Sequence, residues 1–173
     1  MKKNAILFGG VAILFAVFGI FYANRQLAPA PAQASAVTTL LSQSMKDAGG
    51  QEHALGQWKD RALVVNFWAT WCAPCVDEMP ELSALQQEIA PQKIQIIGIG
   101  IDSASNIADF AKKYQISYPL YVGGINGTEL SRQLGNQGGG LPYTVLIGRD
   151  GQVKKTYIGR LKMDELRKSL SEL

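Results

Sequence analysis

The 173 residues, 47% hydrophobic and 18% charged, suit one folded domain of ordinary size and exclude wholesale disorder. Two cysteines and a single histidine exclude a disulfide-stapled mini-protein, a self-contained four-cysteine zinc site and multi-histidine metal centres. The net charge of +3 resides in Lys2, Lys3 and Arg25; the rest of the chain carries 14 basic and 14 acidic residues, without the basic stripe that nucleic-acid binding requires.

Residues 5–22 form an uncharged apolar run of 18 residues with no polar face. As a helix it spans about 27 Å, close to the hydrocarbon thickness of a bilayer. Lys2 and Lys3 precede it, and the positive-inside bias places the amino terminus in the cytoplasm and exports the remainder. The run exceeds the ~7–15 apolar residues of a cleaved signal peptide. Residues 1–26 are therefore expected to be an uncleaved membrane anchor. Residues 27–36, rich in Ala and Pro, read as an extended linker, and residues 37–173 as the exported domain.

Within that domain, residues 38–41 and 52–55 suggest an amino-terminal hairpin. Residues 61–68 form a β-rich apolar run, and residues 73–89 follow with helical spacing at Val76, Met79, Leu82, Leu85 and Ile89. A buried strand at 93–101 leads to a helix at 103–114 with Ser103 as N-cap. A short strand at 118–122 and a short helix at 128–134 come next. Strands at 143–147 and 153–158 flank Gly148-Arg149-Asp150-Gly151, a hairpin signal, and residues 163–173 close as a helix. Alternating strands and helices predict an α/β fold whose sheet is covered on both faces, with the last two strands antiparallel. Gly98-Ile99-Gly100 lacks the third glycine of a dinucleotide loop and reads as close strand packing.

The chemistry concentrates at Cys72-Ala-Pro-Cys75, between a predicted strand and helix. Cys72 falls at the helix N-cap, where free N–H groups and the macrodipole favour an anion. This lowers a thiol pKa and populates the thiolate. Cys75 lies one turn further on, within reach of the Cys72 sulfur, and Pro74 sits in the first turn, where a missing N–H costs little. Half of a zinc site shared between two copies, or a pair of inert buried thiols, are the competing readings of the same four residues.

The stretch Val64-Val-Asn-Phe-Trp-Ala-Thr-Trp-Cys-Ala-Pro-Cys75, then Glu78-Met79-Pro80 and Leu141-Pro142-Tyr143-Thr144, resembles the thioredoxin superfamily. More closely it resembles the membrane-anchored TlpA/ResA-type thiol–disulfide oxidoreductases of bacteria, from about Trp58 to the carboxyl terminus. The resemblance implies a thioredoxin-like fold with a mixed central sheet, an extra amino-terminal hairpin and a central helix/strand insertion. It makes Cys72 the nucleophile, Cys75 the resolving thiol and Cys72–Cys75 the redox disulfide, with no cofactor or metal beyond that pair. Minimal thioredoxins carry a buried aspartate where this chain has Asn66, which cannot act as a base. Glu78 is the matching carboxylate of this subfamily, on the same helix face as both thiols, where burial would raise its pKa toward neutrality. Its plainer reading is a charge complementing the helix N-terminus beside Asp77 and Glu81. Leu141-Pro142 matches the family's cis-proline loop, whose exposed backbone pairs with an extended substrate, next to Gly138-Gly139-Gly140. Trp71 is expected to flank the thiols as a contact surface. Trp68 is expected to be core or partial lining, Pro80 structural, Trp58 packed on the extra hairpin, and His53 an exposed polar residue.

The implied role is a reductant in the bacterial periplasm, held at the inner membrane. A DsbD/CcdA-like membrane partner would supply its electrons, and its clients would be apocytochrome c or copper-site cysteines. A disulfide-donating oxidant is the enzymatic alternative. A Cu(I) metallochaperone is the non-enzymatic one, disfavoured because no histidine follows Cys75.

Overall fold

The computed structural model describes residues 31–173. The expected anchor, residues 1–26, and the start of the linker lie outside the described residues. Among the described residues no helix is long and apolar enough to cross a membrane.

The first element, α1 (Pro31–Ser42), corrects two expectations. Residues 31–36 are helical instead of extended linker, and residues 38–41 are helical instead of strand. Proline is tolerated in a first helical turn, and the alanines that follow are strong helix formers. Tertiary burial of Ala36, Val37 and Leu40 then favours the helix over a solvated spacer. The amino-terminal hairpin forms a little later, from β1 (Ser44–Lys46) and β2 (Glu52–Ala54), antiparallel with Met45 opposite His53. His53 is half-buried, with Nε2 2.8 Å from Asp47 Oδ2, so it is a partnered hairpin residue and not a free surface one. Trp58 closes the following 3₁₀ turn and donates from Nε1 to the Tyr121 hydroxyl at 3.0 Å, which ties the hairpin region to the main sheet.

The main sheet contains β3 (Ala62–Trp68), β4 (Ile94–Gly100), β5 (Leu120–Val122), β6 (Tyr143–Ile147) and β7 (Val153–Ile158) in the order β5-β4-β3-β6-β7. β3, β4 and β5 are mutually parallel, whereas β6 runs antiparallel to both β3 and β7. Between the strands lie α2 (Ala73–Ile89), α3 (Ala104–Lys113) and α4 (Gly124–Gln133), and α5 (Met163–Ser171) closes the chain. Helix α4 starts earlier than its sequence suggests. Gly123 and Gly127 give no helical signal, yet their close approach to Ile99 seats this segment on the sheet.

Every residue of β3 is buried, as a central strand with both faces covered requires. Its alternation assigns the two cores. Ala62, Val64 and Trp68 join Met79, Leu82 and Leu85 of α2, Ile107 and Phe110 of α3, and Leu166 and Leu170 of α5. Leu63, Val65 and Phe67 join Val37 and Leu40 of α1 and Leu130 of α4. Asn66 shares the even-numbered face with Val64 and Trp68. A polar side chain is thereby aimed at α2, immediately below the cysteines.

Candidate active site

Chain geometry places the cysteines. β3 ends at Trp68, and after a tight turn Cys72 is the N-cap of α2, with extended backbone (φ −93°, ψ 99°). The Cys72 carbonyl accepts from the N–H groups of Cys75 (3.0 Å) and Val76 (3.1 Å), which starts the helix. Pro74 occupies the first turn, and α2 continues through Pro80. The two sulfurs are joined as a disulfide. Cys72 retains 7% exposure and Cys75 none, so Cys72 is the less enclosed of the two.

Glu78 is wholly buried one turn beyond Cys75. Its Oε1 accepts from Asn66 Nδ2 at 2.8 Å, and its Oε2 accepts from the Leu161 N–H at 2.7 Å. Burial pushes its pKa up from 4.5 to about 7, against the opposing pull of these two donors and of the nearby Arg160 guanidinium. Burial thereby sets Glu78 apart from its neighbours Asp77 and Glu81, which are exposed. Asp77 and Glu81 instead pair with Arg160, at 3.6 Å and 2.8 Å respectively. Asn66 Nδ2 also donates to Thr144 Oγ1 at 2.9 Å, while Asn66 Oδ1 is buried without a partner. Tyr118, a buried phenol whose hydroxyl makes no hydrogen bond, has its pKa raised well above its usual value, first by burial and then by the Glu78 charge.

The Leu141–Pro142 peptide is cis, in keeping with the resemblance. Pro142 is buried, and its carbonyl accepts from the Gly159 N–H at 2.9 Å. Leu141 is half-buried and packs against the core that contains both cysteines. Because β6 runs antiparallel to β3, its first residues lie at the same sheet end as the loop carrying Cys72. Trp71 is 70% exposed beside Cys72, whereas Trp68 is fully buried and so belongs to the core alone.

The structure thus brings Cys72, Cys75, Glu78, Trp71, Leu141 and Pro142 to one end of the sheet or directly below it. Sequence reasoning did not anticipate Asn66 and Thr144 as a hydrogen-bonded pair under Glu78, or the Leu161 N–H and Arg160 as its remaining company. The one available signal was Asn66 itself, a polar residue in an otherwise apolar central strand.

A thioredoxin-like sheet with paired cysteines at the start of its first core helix defines a thiol–disulfide oxidoreductase. The chain belongs to the redoxin family, whose model matches residues 28–170. It is 27% identical to thiol-disulfide oxidoreductase ResA of Bacillus cereus over 100% of this chain and 99% of that protein. It is 28% identical to thiol-disulfide oxidoreductase ResA of Geobacillus thermodenitrificans, over 75% and 72% of the two chains. Among solved structures, the thiol:disulfide interchange protein of Chlorobium tepidum superposes with a TM-score of 0.68 at 24% identity, covering 84% of this chain and 94% of that one. A DsbF homologue from Corynebacterium diphtheriae also gives 0.68, at 21% identity over 78% and 85%. The structural likenesses support the thioredoxin-like fold, and the family and the ResA relatives make the chain a thiol–disulfide oxidoreductase.

Proposed function

We propose that the chain is a membrane-tethered periplasmic reductant of client protein disulfides, with Cys72 as nucleophile and Cys75 as resolving thiol. In the reduced protein the Cys72 thiolate attacks one sulfur of a client disulfide. A Cys72–client bond forms and the client's other sulfur leaves as a thiolate. The Cys75 thiolate then attacks Cys72, releasing the second client thiol and restoring the intramolecular disulfide. Two electrons pass to the client, and two protons accompany them as its thiolates are protonated. The observation that carries the assignment of attacker and resolver is the asymmetry of the pair: Cys72 is the helix N-cap and keeps a small exposed area, whereas Cys75 is sealed in the core.

Cys75 must lose its proton in the apolar core before it can resolve the intermediate. Glu78, one turn away and half-ionised near neutrality, is the nearest group on its own helix suited to accept that proton. Trp71 and the cis-proline loop flank Cys72. The Leu141 N–H and C=O make no backbone hydrogen bond among the described residues, which leaves them open to an extended client segment.

Tethering rests on the apolar run at residues 5–22. Net reduction in an oxidising compartment would need electrons from a DsbD/CcdA-like membrane partner. Clients would include the cysteines of apocytochrome c or of a copper site. The experiment is capture in cells by the Cys75→Ser variant, which stalls at the mixed disulfide. Recovery of exported cysteine proteins in adducts that a thiol reductant releases supports the proposal; a Cys75→Ser chain that captures no exported protein across oxidising and reducing conditions rejects it. A potential near the ~−120 mV of a strong oxidant, instead of thioredoxin's ~−270 mV, would reverse the direction of transfer.

A further inference from the structure

Asp102 is half-buried between the last residues of β4 and the start of α3, and none of the chemistry above uses it. Its two carboxylate oxygens face opposite ways. Oδ2 accepts from the Thr70 N–H at 3.3 Å and from the Thr70 hydroxyl. Oδ1 accepts from the Ser103 N–H and from Asn106 Nδ2, each at 2.7 Å. One carboxylate thus joins the segment that delivers Trp71 and Cys72 to the first turn of α3. Burial pushes the Asp102 pKa upward, but the donors from Thr70, Asn106 and Ser103 outweigh it and hold the group below the ordinary carboxylate range.

The surroundings make this connection firm. The Ile101 N–H donates to the Trp68 carbonyl at 2.7 Å, so the two segments are already paired two residues before Thr70. Phe110 of α3 stacks on Trp68 with ring centroids 4.7 Å apart. Ser103 caps α3 through the Asn106 N–H at 3.2 Å, which fixes the helix end against which Asp102 is braced. Beyond Thr70 the segment has one further internal backbone tie, from the Cys72 N–H to the Ala69 carbonyl at 3.2 Å.

We propose that Asp102 is a positioning residue for disulfide exchange: through Thr70 it holds the Trp71–Cys72 segment against α3, and so fixes the direction from which the Cys72 sulfur meets its target. This rests on the reading of Cys72 as the attacking sulfur. In-line attack on a disulfide is sensitive to sub-ångström placement, because a poorly aimed nucleophile loses most of its effective concentration. Helix α3 therefore contributes to the reaction as the fixed wall of the active-site loop.

The test uses the full-length chain, reduced beforehand, in single-turnover reaction with a cystine-bridged peptide. Thr70→Val keeps the side-chain shape and removes the hydroxyl donor, Asp102→Ala removes the acceptor, and Thr70→Ser restores the donor. The expected result is a fall of roughly tenfold in the bimolecular rate for Thr70→Val and for Asp102→Ala. The double variant is expected to be no slower than the worse single one, and Thr70→Ser to stay within about twofold of the parent. Single variants at parental rate overturn the proposal, as do losses that multiply in the double variant or a Thr70→Ser as slow as Thr70→Val. Should Asp102→Ala fail to fold, Thr70→Val against Thr70→Ser decides the question alone. A parent chain that does not react through Cys72 sinks the underlying reading, and it does so before any Thr70 variant is compared.

Discussion

Asn66 and Glu78 meet in the core through a 2.8 Å hydrogen bond from the Asn66 amide to a carboxylate oxygen, and neither residue is exposed. The strand thereby offers a donor where a carboxylate would bring a second negative charge. The Asn66 bond favours the ionised form of Glu78, while burial opposes it.

Replacing Asn66 with Ala removes that donor. The Glu78 titration should move above its present value of about 7. A loss of stability on the order of 2 kcal/mol is expected wherever Glu78 is ionised, since a hydrogen bond to a buried charge is lost. The loss should shrink as pH falls and the carboxyl becomes neutral. Denaturant melts of Asn66→Ala across that range, compared with the parent chain, measure both effects. A deficit constant with pH would show that Asn66 acts by packing alone.

Glu78 itself sets a stability profile whose sign follows from its raised pKa. The folded state holds the proton more tightly than the unfolded chain does. Its contribution is therefore fully present below 4.5, falls as pH rises, and is lost above about 7. A shift of this size corresponds to roughly 3 kcal/mol across the window. Glu78→Gln should flatten the profile, because a carboxamide does not titrate, and the Asn66 amide can rotate to present its unpartnered Oδ1 to the new amide. It should also slow release of the client from the Cys72 mixed disulfide by about a hundredfold near neutrality, the size expected for loss of a proton acceptor. Quenched-flow measurement of that step, with the melts, gives both readouts; unchanged kinetics would leave Glu78 a purely structural acid.

Legibility followed the range of the interaction. Strands β6 and β7 matched the sequence at both ends, because alternation around Gly148-Arg149-Asp150-Gly151 is local. So did α2, whose apolar spacing and N-cap lie within one segment. Residues 31–42 misled, since Pro29 and Pro31 favour a spacer until burial of Leu40 against the sheet is counted. The sulfurs and Glu78 could be placed on one helix face from spacing of three alone. The Glu78 partners could not, as Asn66 and Leu161 lie 12 and 83 residues away. Such contacts exist only once the strand order is known.

The face of β4 opposite α4 admits no side chain at Gly98. A Cβ there would lie 2.5 Å from Leu120 Cδ2, 3.1 Å from Trp68 Nε1 and 3.3 Å from a Tyr118 ring carbon. Gly98→Ala should therefore destabilise the fold by about 2 kcal/mol through overpacking. A thermal melt tests this, and a neutral result would show that Leu120 yields without cost.

Trp71 should behave in the opposite way. At 70% exposure it contributes little to the fold, so Trp71→Ala should change stability by less than about 0.5 kcal/mol. An exposed indole beside a reactive sulfur offers contact area to a protein client, but little to a small symmetrical disulfide. The variant should lose roughly tenfold in kcat/KM on a protein disulfide while reducing a small aromatic disulfide at the parental rate. Equal losses on both substrates would mean that the ring acts on Cys72 and not on the client.

The division of labour between the sulfurs makes the last prediction. Cys72 sits at the N-terminus of α2 and keeps a small exposed area, and Cys75 is enclosed by the core. Helix-terminal N–H groups stabilise a thiolate at the first position, whereas apolar burial raises the thiol pKa at the second. Iodoacetamide should modify Cys72 at least tenfold faster than Cys75, with a rate that titrates below the ~8.5 of an unperturbed cysteine. Peptide mapping of the alkylated chain over a pH series reads both quantities. Equal labelling, or a Cys72 that reacts only as free cysteine does, would remove the chemical reason for assigning attack to the first sulfur and resolution to the second.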